Sequence, residues 1–140
     1  MAVQISSRFT IAVHILTCID YFHDESTITS DFLASSVGVN PVIIRQVILQ
    51  LKAAGLVDVV RGKGGILLAR PLESITLYDV YEAVESVKGE LFRFHENPNP
   101  KCPVGKNIHA ALDKSIDDIQ AALEDKMKSI TMRDVAVTRT

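Results

Sequence analysis

The 140-residue sequence has few cysteines and no long apolar segment, and both absences narrow the class of protein. Its two cysteines, Cys18 and Cys102, are distant in sequence and cannot form a disulfide framework. No run approaches the roughly 18 consecutive apolar residues of a membrane span, and the first five residues lack signal-peptide features. We therefore expect a cytoplasmic protein without a membrane segment.

A strong overall charge is also missing, because the formal net charge is only −2. The distribution is uneven, however. Residues 41–70 carry five positive side chains against one negative, Asp58, and the rest of the chain is correspondingly acidic. Since binding to phosphate depends on where the field is positive, the segment remains a candidate for nucleic-acid contact. The sequence is 47% hydrophobic, which is enough for a buried core.

Two helices separated by a glycine turn are predicted after a first helix that runs to about Phe22. The first helix has apolar side chains on two faces, which predicts burial on both sides. Ser30 or Asp31 is expected to cap the second helix, Gly38 to supply a left-handed turn, and Asn40 to cap a third helix over residues 41–54. This arrangement is typical of a helix-turn-helix.

Two short aliphatic runs flank the glycine-rich segment RGKGG at 61–65, which predicts a β-hairpin directly after the third helix. A capped amphipathic helix is expected over residues 74–85. Residues 88–103 contain three prolines and are predicted to form an exposed loop. From Gly105 onward, apolar residues recur at intervals of four, four, three, four and four in a long helix: Ile108, Leu112, Ile116, Ile119, Leu123 and Met127. Such a seam is typical of helix pairing.

These pieces together resemble the Rrf2 family of winged-helix transcription regulators. The resemblance lies in SRFTIA at 7–12, NPVIIRQV at 40–47, LKAAGLV at 51–57, VRGKGG at 60–65, ITLYDV at 75–80 and KCPVG at 101–105. It implies a mainly α fold with a small β-wing, a winged helix-turn-helix domain at residues 1–87, an exposed sensor-type loop at 88–103, and a dimerisation helix with the C-terminal tail at 104–140. It also implies a homodimer that binds a palindromic operator in double-stranded DNA, and we expect a repressor.

The third helix would enter the major groove by its N-terminal end, where base edges present distinguishable patterns. Arg45 suits guanine, Gln46 suits adenine, and Val42 lies on the same outward side. By resemblance, Arg61 is the wing arginine that enters the minor groove. Lys63, Arg8 and Asn40 are expected to support binding through phosphate, although Asn40 also suits a cap. For Gln50 a solvated position is expected.

The loop before the long helix raises the question of a cofactor. Family members that sense iron or nitric oxide carry three cysteines there, whereas this sequence has only Cys102. One thiolate with His95 and His109 makes a poor ligand set for an iron–sulfur cluster, so we expect no cofactor and no metal. Cys102 directly precedes a helix and is either a reactive thiol of lowered pKa or an unreactive one. Cys18 is expected to be inert core.

Other classes of function have less support. No nucleophile, base and orienting group fall at useful spacings, so an enzyme is not expected. Two alternatives remain beside the DNA-binding repressor. One is a thiol-based redox or electrophile sensor that acts through Cys102. The other is a winged-helix interaction module with a protein partner such as a metabolic enzyme, which rising salt would distinguish from a DNA-binding protein.

Overall fold

The computed structural model describes residues 7–24, 27–60, 65–84, 92 and 94–137. In chain order its elements are α1 (Ser7–Tyr21), α2 (Ser30–Val37), α3 (Pro41–Ala53), β1 (Val57–Val60), β2 (Gly65–Leu68), a 3-10 turn (Leu72–Ser74), α4 (Leu77–Val84), α5 (Pro103–Lys128) and α6 (Met132–Val135). The fold is therefore mainly helical with one small antiparallel sheet.

The hydrophobic core surrounds α1, which packs against α2, α3, α4, α6 and β2. Six of its fifteen residues are buried, and they lie on more than one face: Ile11, Ala12, Ile15, Leu16, Cys18 and Ile19. The expected two-sided burial of this helix is confirmed. Apolar burial of this extent is the main term that stabilises the domain.

The helix-turn-helix forms because each boundary is marked by a residue suited to it. The Thr29 hydroxyl accepts from the backbone N–H of Phe32 at 3.1 Å and caps α2, so the expected caps Ser30 and Asp31 were wrong by one or two positions. Gly38 takes the predicted left-handed conformation with φ of 81°, where a side chain would be strained. Its N–H donates to the carbonyl of Ala34 at 2.8 Å, which closes α2.

The wing follows α3 as predicted. Strands β1 and β2 pair antiparallel, with Val57 opposite Leu68 and Val60 opposite Gly65. The chain before α2 adds one further backbone bond to this sheet, from the N–H of Ile66 to the carbonyl of Ile28 at 2.9 Å. The two strands are therefore hydrogen-bonded to each other and to the segment that precedes α2.

The helix expected over residues 74–85 begins at Leu77 in the structure and is described as far as Val84, because residue 85 lies outside the described residues. Residues before it form the 3-10 turn, and Thr76 then starts α4 by a reciprocal pair of bonds with Asp79. In these bonds the Thr76 N–H donates to the Asp79 carboxylate, and the Asp79 N–H donates to the Thr76 hydroxyl. This capping box fixes the start of α4 three residues after the expected one.

Helix α5 is the longest element, with 26 residues, and begins at Pro103, two residues before the predicted start. At 1.5 Å per residue it is about 39 Å long. It packs on α4, yet none of its residues is buried.

After α5 the chain returns to the N-terminal half. Met132 is fully buried in the core around α1, and its N–H donates to the carbonyl of Ile75 at 2.7 Å. Arg133 then pairs with Asp20 at 3.1 Å and with Glu73 at 2.7 Å. Within the part of the chain that is described, no single helix is long and apolar enough to cross a membrane. Helices α2 and α3 reach such a length only together, with a 111° bend between them.

Candidate nucleic-acid interface

Helix α3 divides into a buried face and an exposed face. Ile44, Val47, Ile48 and Leu51 are buried, as their helical spacing predicted. The opposite side carries Val42, Arg45 and Gln46, all exposed, within the first two turns. Arg45 and Gln46 are the side chains predicted to meet base edges, and Val42 was predicted to lie on the same outward side; the structure places all three on one exposed surface. Leu49, two-thirds exposed, extends that surface toward the C-terminal end.

Arg45 is held by a weak ion pair in the free protein. Its guanidinium lies 3.7 Å from the carboxylate of Asp31 on α2, and both side chains are more than half exposed. Exposed pairs of this kind contribute about 0–1 kcal/mol. The pair therefore orients Arg45, and the guanidinium can leave Asp31 for another acceptor.

Arg8 connects the first helix to α3. Its guanidinium donates to the side-chain oxygen of Gln46 at 2.7 Å and to that of Gln50 at 3.3 Å. Gln50 also donates to the carbonyl of Val84 at 3.4 Å, so the solvated position expected for Gln50 was wrong. The expected contact between Arg8 and phosphate stays a prediction. Within the structure, Arg8 sets the orientation of Gln46.

Three predicted DNA-contacting residues remain, and only Asn40 lies within the described residues. Asn40 caps α3, and its side-chain oxygen accepts from the Val42 N–H at 2.8 Å. This cap holds the N-terminal turn, where the backbone N–H groups and the helix dipole favour an anion. Arg61 and Lys63 lie outside the described residues. Strand β1 ends before them at Val60, and strand β2 begins after them at Gly65.

Cys102 occupies the N-cap position of α5, and its side chain is partly buried. The backbone N–H groups of Gly105 and Val104 favour the thiolate and lower the pKa of the Cys102 thiol. The lowered pKa that its position suggested is therefore present. Cys18, by contrast, is buried in the core on α1, as expected.

The described part of the loop before α5 brings together no ligand set for iron. Phe94 stacks on the ring of His109 at 4.7 Å between centroids, and His95 meets His109 edge-on at 5.2 Å. Among the described residues no three His, Cys, Asp or Glu side chains gather where they could hold a metal ion. With one thiolate per chain in this region, the residues do not fit a cluster, and the absence of a cofactor stays a prediction.

Comparison with known proteins identifies the family. Residues 5–138 match the Rrf2 family, described as an iron-dependent transcriptional regulator. YwnA of Bacillus subtilis, named as an HTH-type transcriptional regulator, is 44% identical over 132 residues, with 94% of this chain and 96% of YwnA covered. A crystal structure described as a DNA-binding protein superposes with a TM-score of 0.75 at 36% identity, with coverage of 92% and 98%.

CymR, the global cysteine regulator of Bacillus subtilis, shares the fold with a TM-score of 0.70 at 22% identity, and 98% of each chain is covered. The expected winged-helix architecture is confirmed by these similarities. So is the expectation of a DNA-binding transcription regulator. The chain belongs to the Rrf2 family of transcription regulators.

Proposed function

We propose that this regulator is a bacterial, cytoplasmic homodimer that represses transcription by occupying a palindromic operator. The observation that carries the proposal is the exposed surface of Val42, Arg45 and Gln46 on α3, because it presents a guanidinium and an amide, which can form hydrogen bonds with base edges in the major groove. Arg45 reads a guanine and Gln46 an adenine, while the methyl groups of Val42 suit a thymine methyl. Arg61 and Lys63 contact the minor groove and phosphate from the wing.

The second surface of the proposal is α5. Six apolar side chains recur along it, and two of them, Leu112 and Ile119, are 40% and 51% exposed. A stripe of this length on a helix with no buried residue suits an equivalent helix of a second copy. Twofold pairing would set the two α3 helices about 34 Å apart, which is one turn of DNA. A dimer seated across an operator excludes other proteins from it, and repression is the direct consequence.

The test begins with selection of an operator from genomic fragments retained by the purified protein. Anisotropy titrations at fixed salt then compare wild type with Arg45→Ala on the selected site and on single-base variants. Arg45→Ala should weaken specific binding by about 1–3 kcal/mol and relax preference at one base pair in each half-site. Arg61→Ala should show a similar loss without that relaxation, because it reads groove shape.

The matched control is Lys114→Ala on α5. Lys114 is exposed and pairs with Asp118 of the same helix at 3.3 Å, so its loss removes one positive charge from α5 and none from α3. Binding by this variant should be close to that of wild type. If Arg45→Ala and Arg61→Ala bind the operator as tightly as Lys114→Ala, the proposed contacts are wrong.

A second candidate function is supported by the lowered pKa of Cys102. A bulky adduct on this thiol at the start of α5 would shift the dimer helix and change the spacing of the two α3 helices. Oxidant or electrophile should then lower operator affinity in wild type and leave Cys102→Ser unchanged. Equal operator affinity before and after complete alkylation of Cys102 would remove this candidate. A modification can regulate DNA binding only if the modified and unmodified proteins differ in their affinity for DNA.

A further inference from the structure

A cleft of about 380 Å³ lies between α1 and the chain at the end of α6, outside the proposed DNA and dimer surfaces. Its lining includes His14, Cys18 and Tyr21 of α1 and Phe22 directly after it, with Val135 and Val137 opposite. Its volume falls within the range of roughly 300–1,000 Å³ found for small-molecule sites.

The walls of the cleft favour an aromatic occupant. Tyr21 and Phe22 meet edge-to-face at 4.8 Å, and Phe22 meets Phe32 of α2 in the same way at 5.2 Å. On the opposite wall Val135 and Val137 are 45% and 65% exposed, so a ligand would remove apolar surface from water. An aromatic ring that packs edge-to-face on another ring gains free energy beyond that of its buried area.

One side of the cleft is polar. The Nε2 atom of His14 lies 3.0 Å from the hydroxyl of Ser36 on α2, and that hydroxyl lies 3.3 Å from the sulfur of Cys18. The imidazole has a second ring nitrogen, which can serve one hydrogen bond to a ligand. A pocket with apolar walls and a few placed polar groups is the usual form of a specific small-molecule site.

We propose that this cleft is an effector site for a one- or two-ring aromatic molecule that carries a single hydrogen-bonding group, such as a phenol. The effector role rests on the proposed function, because its output is operator affinity. The cleft is connected to the DNA surface by two contacts on α2, through Ser36 and Phe32, and α2 packs on α3. Helix α1 itself contacts α3 through Arg8.

The first experiment measures binding without DNA, by ¹⁹F NMR titration of 4-fluorophenol and of fluorobenzene into the full-length protein. Wild type should bind both probes. Val137→Trp fills the cleft from an exposed position and should abolish binding. The matched control Val104→Trp, made at a 69% exposed valine on α5, should bind as wild type does. Equal binding by the two tryptophan variants, or no binding by wild type, would overturn the site.

A second variant separates the polar contact from the apolar one. His14 is exposed, so His14→Leu should fold normally. It should weaken 4-fluorophenol binding about fivefold, the size of one net hydrogen bond, and leave fluorobenzene within about twofold. An equal loss for both probes, or no loss for either, would overturn the assigned role of His14.

The last arm tests regulation. Saturating 4-fluorophenol should change the operator affinity of wild type at least about fivefold and that of Val137→Trp not at all. An unchanged affinity would overturn the effector role while the NMR result still stood. If no operator can be selected, the proposed function fails and the effector role fails with it, whereas binding in the cleft is decided by the NMR titration alone.

Discussion

Helices α3 and α5 differ in how each uses its apolar residues. Helix α3 has 13 residues and buries four of them in the core, and its outward face carries Arg45 and Gln46. Helix α5 has twice the length and buries none, and its outward face includes Leu112 and Ile119. The first helix is stabilised by its own chain and offers polar groups. The second offers apolar surface, which the proposed dimer would cover.

The largest expected effect comes from the buried face of α3. Leu51 is completely buried, so Leu51→Ala should lower the free energy of unfolding by about 2–5 kcal/mol, from lost burial and from the cavity left behind. Leu49→Ala is the matched control, because the same change is made two residues away where the side chain is 66% exposed. It should cost less than about 0.5 kcal/mol. Urea denaturation of both variants at the same protein concentration measures the two free energies of unfolding. Similar losses of stability would contradict the division of α3 into a buried and an exposed face.

The next effect is expected on the exposed face of α5. Ile119→Glu places a charge in the apolar seam and should weaken the proposed dimer by about 2 kcal/mol or more, because an unpaired charge would be desolvated there. Ala121→Glu makes the same charge change on the opposite, exposed side of the helix and should leave the dimer intact. Sedimentation equilibrium measures both dissociation constants. A monomeric wild type at micromolar concentration would refute the pairing of α5.

A smaller effect, dependent on pH, is expected where the chain after α5 returns to the core. Arg133 donates to Glu73 and lowers the pKa of that carboxyl below its ordinary value of 4.5. A lowered pKa in the folded state stabilises the protein above the unfolded pKa, and this contribution disappears as pH falls through the folded value. Glu73→Gln should therefore melt below wild type at pH 7 and match it when Glu73 is protonated. A difference that persists unchanged at about pH 3 would contradict this linkage.

Most of the winged-helix fold could be predicted from the sequence, because its signals are local. Gly38, Asn40 and Pro41 mark the turn and the start of α3 within four residues, and the spacing of α3 and α5 gives their apolar faces. The return of the chain at α6 could not be predicted. Helix α6 has only four residues, too few for periodicity, and Arg133 meets Asp20 from 113 positions away.

The candidate site was predictable in its members but not in their contacts. Arg45 and Gln46 were identified by their outward positions on α3, and the structure confirms that they are exposed. Their partners, Asp31 and Arg8, belong to other helices, and sequence spacing carries no information about such pairs. Gln50 was misjudged for the same reason, since its acceptor is the backbone carbonyl of Val84. Residues whose role depends on tertiary contacts leave no local signal.

The smallest expected effect is on the reactivity of Cys102, and it follows from a difference between the N-termini of α3 and α5. Asn40 caps α3 with a neutral oxygen, whereas Cys102 at the start of α5 faces the N–H groups of Gly105 and Val104, which lower the pKa of its thiol. Iodoacetamide should alkylate Cys102 with a pH midpoint below that of free cysteine measured alongside, because the thiolate is the reacting species. In Cys102→Ser only the buried Cys18 remains, and labelling of the folded protein should almost stop.

Gly105→Ala tests the cause of that lowered midpoint. A methyl group at Gly105 would lie 2.7 Å from the backbone oxygen of Asn99, so the loop and the first turn of α5 must shift relative to each other. The N–H groups would then face Cys102 less directly, and the alkylation midpoint should rise toward that of free cysteine. The matched change Ala110→Gly, on an exposed turn of α5 beyond the cap, should leave the midpoint unchanged. A midpoint equal to that of free cysteine in wild type would show that the helix terminus does not activate this thiol.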